Sequence, residues 1–337
     1  MRILITGAAG NLGTLLARHL LRDTKHHLHL MIHRKTLPSD LSRHDRVKLF
    51  QCDLSQPKTL IAASRGCDAI IHFGSVLFAP RPDRHFPITN TQNAINMIDV
   101  AIQEEVDRFI LVSFPHVEGP TSPEAPCRGR LDATPTSIHA RTRLAAEKYL
   151  LQMSDKSGMK AISLRPGMIY GADLLMIEFA RILARFRMLA VWPENTPVHL
   201  LSLSDFNLCC QAALEKPDIH GIYPLGDDDP TTLQNFMDET CSHLGLGKPR
   251  RVPGAGIQVA AWILESMATI FGTKTPLTRD FIRIGRTPYF CDTSRMKQDL
   301  LPRLTHPSFR EALHTLVLKD DQPAFGFKEW KIKPRRA

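Results

Sequence analysis

Met1-Arg2-Ile3-Leu4-Ile5-Thr6-Gly7-Ala8-Ala9-Gly10-Asn11-Leu12-Gly13 opens the chain, and Thr14-Leu15-Leu16-Ala17-Arg18-His19-Leu20-Leu21 follows directly. The first six residues are a short apolar run ended by glycine, the pattern of a buried strand. A glycine-rich turn and then a helix come next. Strand, turn and helix in this order suit the pyrophosphate of a dinucleotide. Gly7 lets the chain turn tightly off the strand. Gly10 lets backbone approach a phosphate, because no side chain intervenes. Gly13 lets the helix pack close to the strand. The amino end of the helix, at Asn11, Leu12 and Gly13, offers N–H groups and a positive partial charge to an anion.

The bulk of the sequence fits a soluble α/β protein. The chain has 337 residues, 43% hydrophobic and 23% charged, enough to bury a full core. Its net charge of +9 suits a phosphorylated cofactor, an acidic surface or nucleic acid, without choosing among them. Seven scattered cysteines form no disulfide framework or zinc pattern, so a reducing cytoplasm is the expected setting. No metal is expected either: the histidines at 19, 26, 27, 29 and 33 lack acidic partners nearby. The N-terminus enters the first strand at once, which argues against a signal peptide. Ile257 to Phe271, the longest apolar segment, is too short and too polar to span a bilayer.

Strands are expected at residues 28–32, 47–51, 69–73, 108–113 and 161–165, with helices at Pro57 to Ser64, Thr89 to Glu105 and Ser137 to Ser154. This alternation predicts an α/β fold, a Rossmann-type doubly wound parallel sheet. Phe114 to Thr136 reads as a long loop, of the kind that is functional or mobile. Beyond Gly171 the rhythm loosens into a smaller C-terminal substrate lobe. A strand is expected over Val198 to Ser202, and helices over 174–186, Leu233 to Leu244, Ile257 to Phe271 and Phe309 to Leu318. The expected division is a dinucleotide-binding domain over 1–170, with 196–225 returning to it, a lobe over 171–195 and 226–318, and a basic tail over 319–337. Glycines and prolines from Gly247 to Gly256 read as a connection.

After the second strand stand His33-Arg34-Lys35, with no acid among them. A site for the unphosphorylated cofactor usually places an acid here against the ribose 2′-hydroxyl. His33 and Arg34 instead suit a 2′-phosphate, so NADP(H) is favoured over NAD(H).

Taken in order, these features resemble the extended short-chain dehydrogenase/reductase superfamily of the NAD-dependent epimerase/dehydratase type. The likeness rests on Thr6 to Gly13, Asp53-Leu54, His72-Phe73-Gly74-Ser75, Asn90 and Asn93, Glu147, and Arg165-Pro166-Gly167-Met168-Ile169-Tyr170-Gly171. Pro276-Leu277-Thr278 and Asp292 to Met296 look like the branch holding 3β-hydroxysteroid dehydrogenases and dihydroflavonol reductases. The resemblance implies that Asp53 accepts from the adenine amino group, with Leu54 beside the ring. It implies that Phe73, Gly74 and Ser75 line the ribose and pyrophosphate, and that Pro166, Gly167, Met168 and Ile169 touch the nicotinamide. A helix cap is the plainer reading of Asp53. Relatives pair through their two long helices, which would make a homodimer here.

The resemblance also shows where this chain departs. The family has a tyrosine and, four residues on, a lysine at the start of the long helix. Here the stretch reads His139-Ala140-Arg141-Thr142-Arg143, with Glu147 setting the register, and Tyr149 comes too late. The family's serine or threonine falls at Phe114, with Ser113 adjacent. His139 would donate a hydrogen bond or a proton to a carbonyl, and Arg143 would hold the nicotinamide ribose. Arg143 is also expected to depress the pKa of His139. Two functions follow: an atypical NAD(P)(H)-dependent oxidoreductase acting on a carbonyl or alcohol of a bulky apolar small molecule, or a catalytically silent cofactor-binding sensor or assembly protein. Neither calls for nucleic acid, and the basic tail leaves room for a weak peripheral membrane contact.

Overall fold

A computed structural model of the chain describes residues 1–77, 79, 81–172, 174–271 and 277–316. Its first half alternates β1 (Arg2–Thr6), α1 (Asn11–Asp23), β2 (His27–Ile32), α2 (Ser39–Ser42), β3 (Val47–Gln51), α3 (Pro57–Ser64) and β4 (Ala69–His72). Then come α4 (Pro82–Phe86), a π-helical stretch Pro87–Gln92, α5 (Asn93–Gln103), β5 (Arg108–Val112), a 3-10 turn Pro115–Glu118, α6 (Ile138–Ser157) and β6 (Lys160–Pro166). The second half carries β7 (Met168–Tyr170), α7 (Leu175–Arg185), β8 (Ala190–Val191), β9 (Pro197–Val198), β10 (Leu200–Ser202), α8 (Leu203–Glu215) and β11 (Gly221–Leu225). It ends with β12 (Thr231–Thr232), α9 (Leu233–His243), β13 (Arg250–Arg251), α10 (Gly254–Phe271), α11 (Arg279–Gly285) and short π and 3-10 turns at Met296–Leu300 and Leu313–Leu316.

Seven strands make one parallel sheet in the order β11-β6-β5-β4-β1-β2-β3. Ile5 sits opposite Leu30 on one side and Ile71 on the other. The chain winds outward through β2 and β3, then returns to place β4 beside β1, so the carboxyl ends of β1 and β4 form the topological switch point. Both faces of the sheet are covered: Ile3 and Ile5 pack with Leu16 and Leu20, while Leu4 packs with Leu60 and Met97. That two-sided burial is why the strands read as continuous apolar runs.

Several elements differ from the sequence expectation. The helix expected over Thr89 to Glu105 starts earlier, at Pro82, and passes through a π-helical segment. Pro87 lies at the start of that segment, where it supplies no N–H to a tight helical ladder. The strand expected over Val198 to Ser202 is broken at His199 into β9 and β10. Phe309 to Leu316 contains turns and a 3-10 segment rather than a regular helix. The Gly247 to Gly256 connection contains β13, and Gly254 already begins α10. β11 and α11 were not anticipated. Pro224 disguises β11, but an edge strand tolerates proline because one side needs no ladder bond. The expected tail over 319–337, Leu318 and Pro276 lie outside the described residues. Among the described residues no helix is long and apolar enough to cross a membrane.

Candidate active site

The glycine turn and the β4 loop meet at the switch point. Gly7 adopts φ +67°, and a side chain there would stand 3.2 Å from Phe73 Cβ and 3.4 Å from the Gly74 N. A Cβ on Gly13 would stand 3.0 Å from Ala8 Cα, so its absence sets how close α1 lies to the turn. Gly10 has an ordinary φ of −82°, and a Cβ there would meet only the Gly7 carbonyl, at 3.0 Å. No side chain caps the first turn of α1. A small-residue turn with an uncapped helix start is what an anion requires. Leu12, Phe73 and Ile169 all pack against the apolar cluster that holds Ile3, Ile5 and Leu16. Gly74 abuts Leu54: a Cβ there would stand 2.6 Å from Leu54 Cδ1. Gly167 is pinned beneath β11, donating its N–H to Leu225 O at 2.8 Å, and Met168 donates to His199 O at 2.9 Å.

At the other end of this crevice, Asp53 accepts from Ser55 N at 2.9 Å and Ser55 Oγ at 2.7 Å. Those bonds hold its carboxyl below the usual carboxylate range, with His33 and Arg34 contributing in the same direction. Asp53 thus closes a turn, but it does not cap α3, whose first turn has no side-chain cap. The second oxygen stands 3.6 Å from His33 Nε2. His33 and Arg34 are exposed on the loop after β2.

The long helix α6 carries His139 and Arg143, where the resemblance leads one to expect a tyrosine and a lysine. Ser137 caps it by accepting from Ala140 N at 3.0 Å. Asp280, from α11, adds a second cap: its two oxygens accept from Ile138 N at 3.1 Å and His139 N at 3.2 Å. A carboxylate there also complements the helix dipole. No local pattern signals this pairing, since the partners lie far apart in the chain.

His139 is almost wholly buried, 4% exposed. Its ring is set edge-on to Phe114 at 4.8 Å and to Phe86 at 5.5 Å. Asn90 Nδ2 lies 3.3 Å from its Nδ1, and the backbone of Val76 also hydrogen-bonds the ring. Asn90 also clamps the β4 loop, accepting from Val76 N at 2.8 Å and donating to Val76 O at 3.0 Å. The π-helical segment presents Asn90 in this position. Burial pulls the His139 pKa down to about 3, with Arg143 and then His116 adding to the effect. The depression matches the expected direction, but burial, rather than Arg143, is its main cause. His116, bonded to Thr287 O at 3.1 Å, is lowered by burial to about 4.

Arg143 lies one turn beyond His139 and is 3% exposed. Its Nη1 has no hydrogen-bond partner, and burial lowers its pKa to about 10. Glu147, a further turn along, is taken by Arg165, at 2.5 Å, and by Ser163, at 2.9 Å. Arg165 also binds Glu118, and Glu118 gathers the N–H groups of Gly129 at 2.7 Å and Arg130 at 3.0 Å. The long loop after β5 is thus fastened to the sheet through a buried Glu118–Arg165–Glu147 chain. Arg143 balances the second of the two buried carboxylates.

The structure seats Phe114, rather than Ser113, against His139. Ser113 Oγ is buried without a hydrogen-bond partner, and its backbone N–H bonds Leu164 O at 2.7 Å. Tyr149 faces away, donating to Asp99 at 2.5 Å.

A parallel doubly wound sheet with this turn defines a Rossmann-type α/β protein. The chain belongs to the NAD dependent epimerase/dehydratase family, whose model matches residues 3–191. It is similar to a uronate dehydrogenase of Pseudomonas syringae pv. tomato, 27% identical over 69% of this chain and 76% of that one. It is also similar to a 3-beta-hydroxysteroid dehydrogenase of Mycolicibacterium neoaurum, 23% identical over 96% of this chain and 95% of that one. In fold it matches a dTDP-glucose 4,6-dehydratase from Bacillus anthracis solved in complex with NAD, with TM-score 0.75 and 15% identity, covering 94% of this chain and 95% of that one.

Proposed function

We propose that this chain binds NADP(H) across the carboxyl ends of β1 and β4 and works as an oxidoreductase on a carbonyl or alcohol of a bulky apolar small molecule. The observation that carries this reading is the buried guanidinium of Arg143, with an unpartnered Nη1, one turn from a buried neutral imidazole. A donor held dry and unsatisfied costs stability unless a ligand completes it. The residues fit the cofactor: the turn is free of side chains at Gly7 and Gly10, and α1 is uncapped. The bound cofactor would supply or accept a hydride. Arg143 would hold the nicotinamide ribose hydroxyls. A ring N–H of His139 would bond the substrate oxygen, polarising it. With a pKa of about 3 the ring holds no second proton at neutral pH, so the proton reaching the alcohol arrives through water. Phe86 and Phe114 supply an apolar wall beside the reacting group. Arg34, unmatched by an acid at the end of β2, supports the phosphorylated cofactor.

One observation favours a second reading, a cofactor-binding protein without turnover: Phe114 and Phe86 already cover the His139 ring. Titration with NADPH, followed by a panel of ketones while cofactor absorbance is followed, decides between them. Binding with oxidation supports the enzyme. Binding with no oxidation by any carbonyl supports the sensor. No binding defeats both.

A further inference from the structure

α10 contains one charged residue, Glu265, and turns it inward. Glu265 accepts from Arg279 Nε at 2.6 Å and from the Arg279 backbone N–H at 2.8 Å. Gly254, Ala261, Glu265 and Ala268 form the buried side of the helix. Val259, Trp262, Ile263, Leu264 and Met267 stand on its outward side, 40–57% exposed. A helix apolar on nearly all faces belongs in a core or in lipid, and several large apolar residues exposed on one element mark an interaction site.

The surroundings of α10 are basic. Residues 248–286 contain Lys248, Arg250, Arg251, Lys274, Arg279, Arg283 and Arg286, against only two acids, Glu265 and Asp280. Both acids are buried and occupied, one by Arg279 and one by the start of α6. α11, which carries Arg279 and Arg283 and is followed by Arg286, packs along α10. β13, with Arg250 and Arg251, leads directly into it. Lys248, Arg250, Arg283 and Arg286 are exposed. Exposed Phe186 and Met188, flanked by Arg185 and Arg187, lie close by, since Arg250 N donates to Leu189 O at 2.9 Å.

We propose that α10 and its basic rim dock on an anionic lipid bilayer, with the helix lying in the headgroup layer rather than crossing it. An uncharged apolar face inside a cationic rim matches such a surface in both chemistry and sign. A second copy fits less well, because a self-contact would bring the two cationic rims together.

The test is co-sedimentation of the full chain with vesicles of phosphatidylcholine alone and of phosphatidylcholine with phosphatidylglycerol. Binding is expected to the anionic vesicles, to weaken with salt, and to be slight without phosphatidylglycerol. The Trp262→Gln/Ile263→Gln variant, folded by circular dichroism, is expected to bind about tenfold more weakly. Lys248→Glu/Arg250→Glu is expected to lose about tenfold as well. These variants keep the C-terminal basic residues, so binding as tight as wild type by Trp262→Gln/Ile263→Gln would assign the attraction elsewhere and overturn the proposal. Absence of wild-type binding to anionic vesicles would also overturn it. So would sedimentation showing a dimer that this variant abolishes while no vesicle binding occurs, which would give the face to a second copy.

Discussion

Arg143 follows His139 by one turn of α6, and both side chains are nearly sealed from water, at 3% and 4% exposed. The pair sets an imidazole beside a guanidinium. Burial disfavours imidazolium, and the fixed cation beside the ring adds to the effect. His139 is therefore a hydrogen-bond donor at neutral pH and a poor reservoir of protons. Four expectations follow from the surrounding structure, and a fifth tests the pair itself.

Gly10→Val is expected to abolish NADPH binding while the protein stays folded. The backbone at Gly10 has an ordinary φ, so a side chain is tolerated conformationally, but it would project into the turn where backbone must approach phosphate. Calorimetric titration of a variant with native circular dichroism is the measurement. Unchanged affinity would remove the turn from the site.

Arg34→Ala is expected to weaken NADPH by about 1.5–3 kcal/mol, the range for a hydrogen bond to a charged group. NADH should bind nearly as before, since it has no 2′-phosphate. Parallel titrations of the two cofactors check this, and equal losses would mean that Arg34 contacts something they share.

Asp280→Ala removes a carboxylate that accepts from two N–H groups at the start of α6. A loss of about 0.5–2 kcal/mol in folding stability is expected, the usual cost of a helix cap. Because the cap holds the His139 backbone, substrate turnover should fall while cofactor affinity changes little. Denaturant melts beside steady-state kinetics test it; full stability in the variant would show that Ser137 alone caps the helix.

Asp227 gives a pH dependence of definite sign. The residue is 1% exposed, and burial raises its pKa to about 8 against the opposing effect of the Asp229 backbone. An unfolded aspartate titrates near about 3.9. Between those values the folded state binds more protons than the unfolded one, so stability falls as pH rises and levels off above about 8. Asp227→Asn should therefore melt higher than wild type by a margin that widens across that window. Thermal melts over a pH series read the margin; one that stays flat or narrows with rising pH contradicts the assignment.

The sheet was legible because its strands are buried on both faces, so their apolar runs carry the signal unaided. The switch point was legible because glycine spacing reports backbone geometry directly. Elsewhere the sequence reported less. Pro224 hid an edge strand, and Pro87 hid a π-helical segment whose purpose is to aim Asn90 at Val76 and His139. The one-turn spacing of His139 and Arg143 on the long helix was visible. Their dryness was not, because Phe86, Phe114 and Asp280 reach them from three separate elements. The long loop after β5 was expected to be functional or mobile. Glu118 instead fastens it through contacts with Arg165 and several backbone N–H groups, a long-range arrangement that no local pattern encodes.

The most direct test of the central claim is the rate of NADPH oxidation in a rapid-mixing experiment, with saturating carbonyl substrate, for wild type and His139→Ala. The variant is expected to be slower by about 10²–10⁴, the usual worth of a positioned acid or hydrogen-bond donor, with NADPH affinity little changed. A folded variant that oxidises cofactor as fast as wild type would contradict the account, leaving His139 as a packing residue between Phe86 and Phe114.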